Sequence, residues 1–173
     1  MKTTYEERGI KFAKVLARLF EDCYYLSDFK EVIKAYNDCH KRKLRYSNGV
    51  SRIVIIRSDY VIKFDYKNRE RTWANGRAGN CETEAQVYDM AERAGMAYLL
   101  ARPTLLYING LTCTVMPRVN GVGNDDKCWQ RTCTDYEREW LYDNINDLHY
   151  NNVGYRRGKV CVIDYAWEAD AWW

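Results

Sequence analysis

The stretch DLHYNN (147–152), followed by VCVID (160–164), decides the fold and the site that the sequence predicts. It places Asp147 and Asn152 on a tight loop, and it places Asp164 at the end of the strand expected to follow. An amide and a carboxylate in this arrangement suit a hard cation that carries phosphate, and a second carboxylate can accept a proton. The spacing therefore predicts a magnesium–nucleotide site with Asn152 and Asp164 as metal ligands.

This pattern resembles the catalytic loop and the metal-binding triplet of the protein kinase and aminoglycoside phosphotransferase superfamily. In that family the loop reads approximately D-L-x-x-x-N and the triplet reads D-F-G, whereas the triplet here is Asp164-Tyr165-Ala166. His149 stands where aminoglycoside-type enzymes commonly carry histidine, so the resemblance is nearest to those enzymes and to small phage-encoded kinase-like proteins. It implies that ATP and Mg²⁺ are the cofactors and that Asp147 is the catalytic proton acceptor.

Upstream of the loop, the β-branched runs SRIVII (51–56) and YVIKFDY (60–66) predict a hairpin. Lys63 lies in the second strand, where the resemblance places the catalytic lysine that contacts the nucleotide phosphates. The preceding turn takes the position of the glycine-rich loop, but it carries one glycine, Gly49, where the kinase loop carries three. The resemblance implies that Gly49 and Lys63 bind the nucleotide.

The segment NCETEAQVYDMAERAG (80–95) predicts a helix with a favourable N-cap, an acidic first turn and a terminal glycine. Glu84 lies on its apolar stripe, whereas Glu82 lies roughly on the opposite side. Because a carboxylate on the buried face needs a cation, we predict that Glu84 pairs with Lys63. Glu82 is the alternative partner.

Two further strands are predicted at 102–110 and 111–119, joined at an Asn-Gly turn. The resemblance makes them the fourth and fifth strands of a kinase N-lobe, with Met116 and Arg118 beside the adenine ring of the nucleotide. A plain β-meander explains the same alternation of side chains, but the order of the parts favours the N-lobe.

Residues 1–40 are predicted to form two helices that pack on the domain, with Ser27 as the N-cap of the second. A partner-binding arm is the alternative. The predicted inward residues are Phe12, Val15, Leu16, Leu19 and Phe20 in the first helix, and Phe29, Val32, Ile33 and Tyr36 in the second.

The C-terminal part is predicted to contain a loop at 120–135 and a helix at 135–145 that presents the catalytic loop. After Asp164 nine residues remain (173 − 164), so we expect no activation segment and no substrate platform. The aromatic tail WEADAWW (167–173) is expected to cap the core or, if exposed, to anchor a host protein.

Composition predicts one domain without membrane spans: 47% of the residues are hydrophobic, and no apolar run reaches the length of a span. Seven cysteines without a CxxC pair favour a reducing compartment, namely the cytoplasm, or the host-cell cytoplasm if the protein is phage-encoded. The net charge of +3 and the short basic run at 40–45 make nucleic acid an unfavoured partner.

The resulting prediction is an α+β fold in a single kinase-like domain, 1–173. It comprises a helical N-terminal segment (1–40), an antiparallel N-lobe sheet with one packed helix (41–120) and a truncated C-lobe (121–173). The predicted function is ATP- and magnesium-dependent phosphotransfer to an unidentified acceptor. The alternative is a catalytically inactive kinase-like protein that binds and inhibits a host or partner protein, favoured by the single glycine and the aromatic tail.

Overall fold

A five-stranded antiparallel sheet with helices on both faces lies at the centre of the computed structural model of this chain. The structure describes residues 3–49, 51–67, 80–121, 128–145, 148–156 and 158–165. Within these ranges the helices are α1 (Tyr5–Leu19), α2 (Leu26–Cys39), α3 (Cys81–Arg93), α4 (Cys128–Thr132) and α5 (Asp135–Asn144). The strands are β1 (Arg45–Asn48), β2 (Arg52–Ile56), β3 (Tyr60–Asp65), β4 (Thr104–Ile108), β5 (Leu111–Pro117), β6 (Asn120–Gly121), β7 (Val153–Arg156) and β8 (Lys159–Val162). The fold is α+β, as predicted.

The large sheet has the strand order β1-β2-β3-β5-β4, and all its neighbouring strands are antiparallel. The β2–β3 and β4–β5 hairpins and the helix α3 lie where the sequence predicted them. A smaller sheet, β6-β7-β8, follows α3 and the large sheet in the chain and contains β7, a strand that the sequence analysis did not predict. None of the helices within the described ranges has both the length and the apolar character that a membrane span requires.

The two faces of the large sheet differ in chemistry because side chains alternate along each strand. One face carries apolar residues such as Ile53, Ile62 and Val115, which form a buried core with α1 and α2. The register aligns Arg52 with Asp65 and Lys63 with Thr114, so these polar side chains lie on the opposite face. The N-terminal helices therefore close one face of the sheet and leave the other face to α3.

The inward stripe of α1 differs from the predicted one. Phe20 and Leu16 are buried as expected, but Val15 and Leu19 are 46% and 40% exposed. The predicted inward assignment of Val15 and Leu19 is therefore wrong. The buried stripe instead includes small residues, Gly9, Ala13 and Ala17, because these let the helix axis approach strand β5 closely.

The start of α2 also corrects a prediction. The N-cap residue is Tyr25, not Ser27, which lies inside the helix. The carboxylate of Asp28 accepts hydrogen bonds from the backbone N–H groups of Tyr24 and Tyr25, at 2.8 and 2.9 Å. The acidic side chain at the third helical position thus binds the backbone N–H groups at and before the N-cap, where the sequence predicted a cap by a serine hydroxyl. The predicted inward residues Phe29 and Ile33 are buried.

A second buried cluster joins α3 to the C-terminal elements and includes Val87, Met116, Leu141, Val162 and Tyr165. The segment predicted as a loop at 120–135 contributes to it through the short helix α4, so that prediction is wrong for the described part of the segment. Burial of the first two residues of α4, a cysteine and a tryptophan, explains why this polar segment folds. The helix predicted at 135–145 is present as α5.

Candidate functional site

The polar face of the sheet places Lys63 opposite Glu84. The Nζ atom of Lys63 lies 2.5 Å from Oε1 of Glu84, and the two residues are 4% and 0% exposed. A second bond from Nζ reaches the backbone carbonyl oxygen of Ile163 at 2.6 Å. Thr114 Oγ1 lies 3.4 Å from Oε2 of Glu84 and donates a hydrogen bond to it. The predicted pair is therefore present as a buried, hydrogen-bonded ion pair.

Two contacts at the start of α3 position Glu84. The side chain of Asn80 accepts a hydrogen bond from the backbone N–H of Thr83 at 2.8 Å, as the predicted N-cap. The carboxylate of Asp65, at the end of β3, accepts the N–H of Cys81 with both oxygens at 3.2 Å. A carboxylate at a helix N-terminus also interacts favourably with the helix dipole. These contacts fix the first turn of α3 to the strand that carries Lys63.

Glu82, the alternative partner of Lys63, takes a different position. It is only partly buried, and its Oε1 accepts a hydrogen bond from the hydroxyl of Tyr107 on β4 at 3.1 Å. The structure thus assigns the ion pair to Glu84, as the position of Glu84 on the apolar stripe predicted.

Asp164 reaches the same cluster from the C-terminal part of the chain. Its Oδ1 lies 3.7 Å from Nζ of Lys63, and its side chain is 42% exposed. Asp164 is the second residue after the end of β8. The residue between them, Ile163, donates its backbone N–H to the carbonyl oxygen of Asn152 at 2.8 Å. The two predicted metal ligands, Asn152 and Asp164, therefore lie on backbone segments that are hydrogen-bonded to each other.

Arg52 is a member of the cluster that the sequence analysis missed. Its Nη2 donates a hydrogen bond to Oδ1 of Asp164, and its Nη1 lies 3.2 Å from Oε2 of Glu84. The side chain is 7% exposed, and among the described residues Nη1 is a buried nitrogen without a well-directed hydrogen bond. The signal was present in the sequence, because the register of the predicted hairpin pairs Arg52 with Asp65 on the Lys63 face.

The cluster holds two cations, Arg52 and Lys63, and two carboxylates, Glu84 and Asp164. Burial by itself raises the pKa of Asp164, but the charges of Lys63 and Arg52 outweigh it, so the net pKa lies below its ordinary value. Burial lowers the pKa of Arg52, and the carboxylates of Glu84 and Asp164 more than reverse that effect, so its pKa is raised. Both charges of the Arg52–Asp164 pair are thus stabilised by their neighbours.

The other predicted site residues occupy varied positions. Gly49 is exposed at the β1–β2 turn, and its N–H donates to the carbonyl oxygen of Arg52 at 2.9 Å. Met116 is buried at 1% exposure within the second core cluster, and Arg118 is exposed and donates from Nη1 to the carbonyl oxygen of Arg57 at 3.1 Å. Their roles towards a nucleotide remain predictions. Asp147 lies outside the described residues, as does the aromatic tail.

No family model, curated protein or solved structure matches this chain. The function is therefore inferred from the geometry and charges of the cluster. In the described part of the chain no group of three or more His, Cys, Asp or Glu side chains is arranged to hold a metal ion. A metal at Asp164 would thus need further oxygen ligands from Asn152 and from the phosphates it carries.

The donor set fits a magnesium nucleotide in two respects. Asp164 offers a partly exposed carboxylate beside the Asn152 segment, which suits a hard cation that keeps several water ligands. Arg52 and Lys63 offer two positive charges next to that carboxylate. Phosphate oxygens are the acceptors that complement such charges.

Proposed function

We propose that the protein binds ATP with Mg²⁺ beside Lys63 and Asp164 and transfers the terminal phosphoryl group to an acceptor. The observation that supports this proposal best is the position of Lys63, which is paired with a helix glutamate and lies 3.7 Å from Asp164. A lysine fixed by a helix carboxylate can contact the phosphates, while the partly exposed aspartate next to it binds the metal ion that the phosphates carry.

In this proposal each of five predicted site residues has one role. Lys63 orients the phosphates, and Glu84 holds the Lys63 ammonium in place so that little reorganisation is needed when a nucleotide binds. Asn152 and Asp164 hold the metal ion, and Asp147 accepts the proton of the acceptor hydroxyl. When bound, the magnesium nucleotide supplies the phosphoryl group that is transferred.

A second candidate is nucleotide binding, or partner binding, without transfer. Two observations favour it: the guanidinium of Arg52 is hydrogen-bonded to the carboxylate that would hold the metal, and the N–H of Gly49 is used within its turn. In this candidate the kinase-like domain is inactive and inhibits a host or partner protein that it binds.

Thermal-shift titration with ATP or ADP tests the nucleotide-binding part of both candidates. With Mg²⁺ present, a nucleotide that binds the folded state raises the melting temperature. We expect stabilisation of the wild type that Asp164→Ala abolishes. The matched control Asp38→Ala, at an exposed aspartate on α2, should respond like the wild type. Absence of a shift for every purine nucleotide at millimolar concentration would contradict the proposal.

Transfer is tested with Asp147→Asn, which preserves the shape of the side chain. Radiolabelled ATP is incubated with the protein and a cell extract, and transfer of label to any component is measured. We expect Asp147→Asn to keep the nucleotide-dependent thermal shift and to lose the labelling. Equal labelling by both proteins would contradict the role of Asp147. Nucleotide binding with no labelling by the wild type would favour the non-catalytic candidate.

A further inference from the structure

The guanidinium of Arg52 is bonded to the carboxylate of Asp164, although Arg52 is not needed to neutralise Glu84. Glu84 already has a close partner in Lys63, at 2.5 Å, and Nη1 of Arg52 faces Glu84 without a well-directed hydrogen bond. The hydrogen bond of the guanidinium goes instead to Oδ1 of Asp164, and the same oxygen lies 3.7 Å from Lys63. One carboxylate oxygen of the proposed metal ligand is thus in contact with two protein cations.

Accessibility differs between the two partners. The Arg52 side chain is 7% exposed and lies beneath the carboxylate, whereas the Asp164 side chain is 42% exposed. A cation from solvent can therefore reach Asp164, but it arrives next to the two positive charges of Arg52 and Lys63, which repel it.

The backbone of Arg52 is held firmly, so the side chain is the part that can move. Its carbonyl oxygen accepts hydrogen bonds from the N–H of Gly49 at 2.9 Å and from the hydroxyl of Tyr66 at 2.8 Å. Its strand β2 is paired on both sides, with β1 and with β3. Release of Asp164 therefore requires rotation about the side-chain bonds of Arg52 and no change in the pairing of the sheet.

We propose that Arg52 is an internal counter-cation that competes with divalent metal ions for Asp164, so that a metal binds only when the guanidinium leaves the carboxylate. This inference rests on the metal site of the proposed function. It adds a residue to that site, and it predicts that metal binding is weak in the absence of nucleotide. A nucleotide provides acceptors for the released guanidinium, because its phosphate oxygens complement arginine donors.

The test is a titration of the nucleotide-free protein with Mn²⁺, with the free ion measured by electron paramagnetic resonance. Removal of a positive charge in contact with the ligand should tighten Mn²⁺ binding in Arg52→Met by about tenfold or more. The matched control Arg45→Met, at an exposed arginine on the adjacent strand β1, should bind like the wild type. Equal Mn²⁺ affinity in Arg52→Met and the wild type, or no binding by Arg52→Met, would overturn the inference.

A second measurement keeps the inference testable if Arg52→Met does not fold. The arginine side-chain Nε–H resonances of the wild type are recorded by NMR, with Arg52→Lys used to assign the Arg52 signal. Saturation with Mg²⁺ should shift that signal as the guanidinium leaves Asp164, and an unchanged signal with Mg²⁺ bound would contradict competition. Neither measurement uses a nucleotide, so failure of ATP binding and failure of this inference are distinguishable.

Discussion

Lys63 Nζ lies 2.5 Å from Glu84 Oε1, and both side chains are almost completely removed from solvent. Glu84 also lies 3.2 Å from Arg52, so its single negative charge is shared by two cations. Lys63 contacts Glu84 and the carbonyl oxygen of Ile163, and thereby ties the sheet and α3 to the C-terminal segment. The ion pair is therefore a structural junction as well as a candidate catalytic element.

Glu84→Gln should destabilise the fold more than Lys63→Met. Loss of Glu84 leaves two buried cations without this carboxylate, whereas loss of Lys63 leaves Glu84 with Arg52. Because an unpaired buried charge is costly, we expect Glu84→Gln to lower the free energy of unfolding by about 3–5 kcal/mol. Urea denaturation of both single variants and the double variant measures the change in the free energy of unfolding and the coupling between the two residues. A double variant whose loss equals the sum of the single losses would show that the two residues are not coupled.

Gly9→Ala should destabilise the protein although alanine is normally the better helix residue. A Cβ atom at Gly9 would lie 2.3 Å from Cγ1 of Val115, a fully buried and stiff side chain of β5. Overpacking of this kind costs about 1–3 kcal/mol. Thermal or urea unfolding measures this loss of stability, with Lys14→Ala at an exposed position of α1 as the control. A stability equal to or above that of the wild type would contradict the close packing of α1 on the sheet.

Asp28 should give the start of α2 a pH-dependent stability. Hydrogen bonds from the backbone N–H groups of Tyr25 and Tyr24 lower the pKa of its carboxyl below the ordinary value. The stabilisation is therefore present above the pKa of the unfolded chain and is lost as the pH falls through the lower pKa of the folded state. At neutral pH, Asp28→Ala should cost about 1 kcal/mol of unfolding free energy.

The measurement is urea denaturation of Asp28→Ala and the wild type between neutral and strongly acidic pH. The difference in unfolding free energy should shrink as Asp28 becomes protonated in the wild type. The exposed Asp38→Ala serves as the control, since Asp38 pairs with Lys34 on the same solvent-exposed helix surface. A difference for Asp28→Ala that stays constant with pH would show that the charged carboxylate is not the cap.

The sequence predicted the parts of the site that depend on local periodicity. Alternation placed Lys63 in a strand, and the 3.6-residue period placed Glu84 on the apolar stripe of a helix, so their pairing followed from the need to neutralise a buried carboxylate. Alternation along the predicted hairpin could have placed Arg52 on the Lys63 face, but its contact with Asp164 was missed because the two residues are 112 positions apart in the chain. No local pattern predicts a contact at that separation.

The incorrect predictions for α1 have a different cause. The prediction selected the large apolar residues that recur at helical spacing, including Val15 and Leu19, whereas the packing distance to β5 is set by the small side chains at Gly9, Ala13 and Ala17. Helix α4 was missed since five residues are too short for a helical period, and its burial depends on tertiary contacts. The kinase-like resemblance itself remains a prediction, because similar strand orders and helix positions serve unrelated functions.

Lys63 and Asp164 are proposed to form a site for a magnesium nucleotide. Isothermal titration of the protein with a non-hydrolysable ATP analogue and Mg²⁺ tests it most directly. We predict saturable binding to one site, weakened about tenfold or more by Lys63→Met, since a charged contact to phosphate contributes at least about 1.5 kcal/mol. Lys34→Met, at an exposed lysine of α2, should leave the affinity unchanged. Absence of binding at millimolar analogue, or equal affinity in Lys63→Met and the wild type, would contradict the claim.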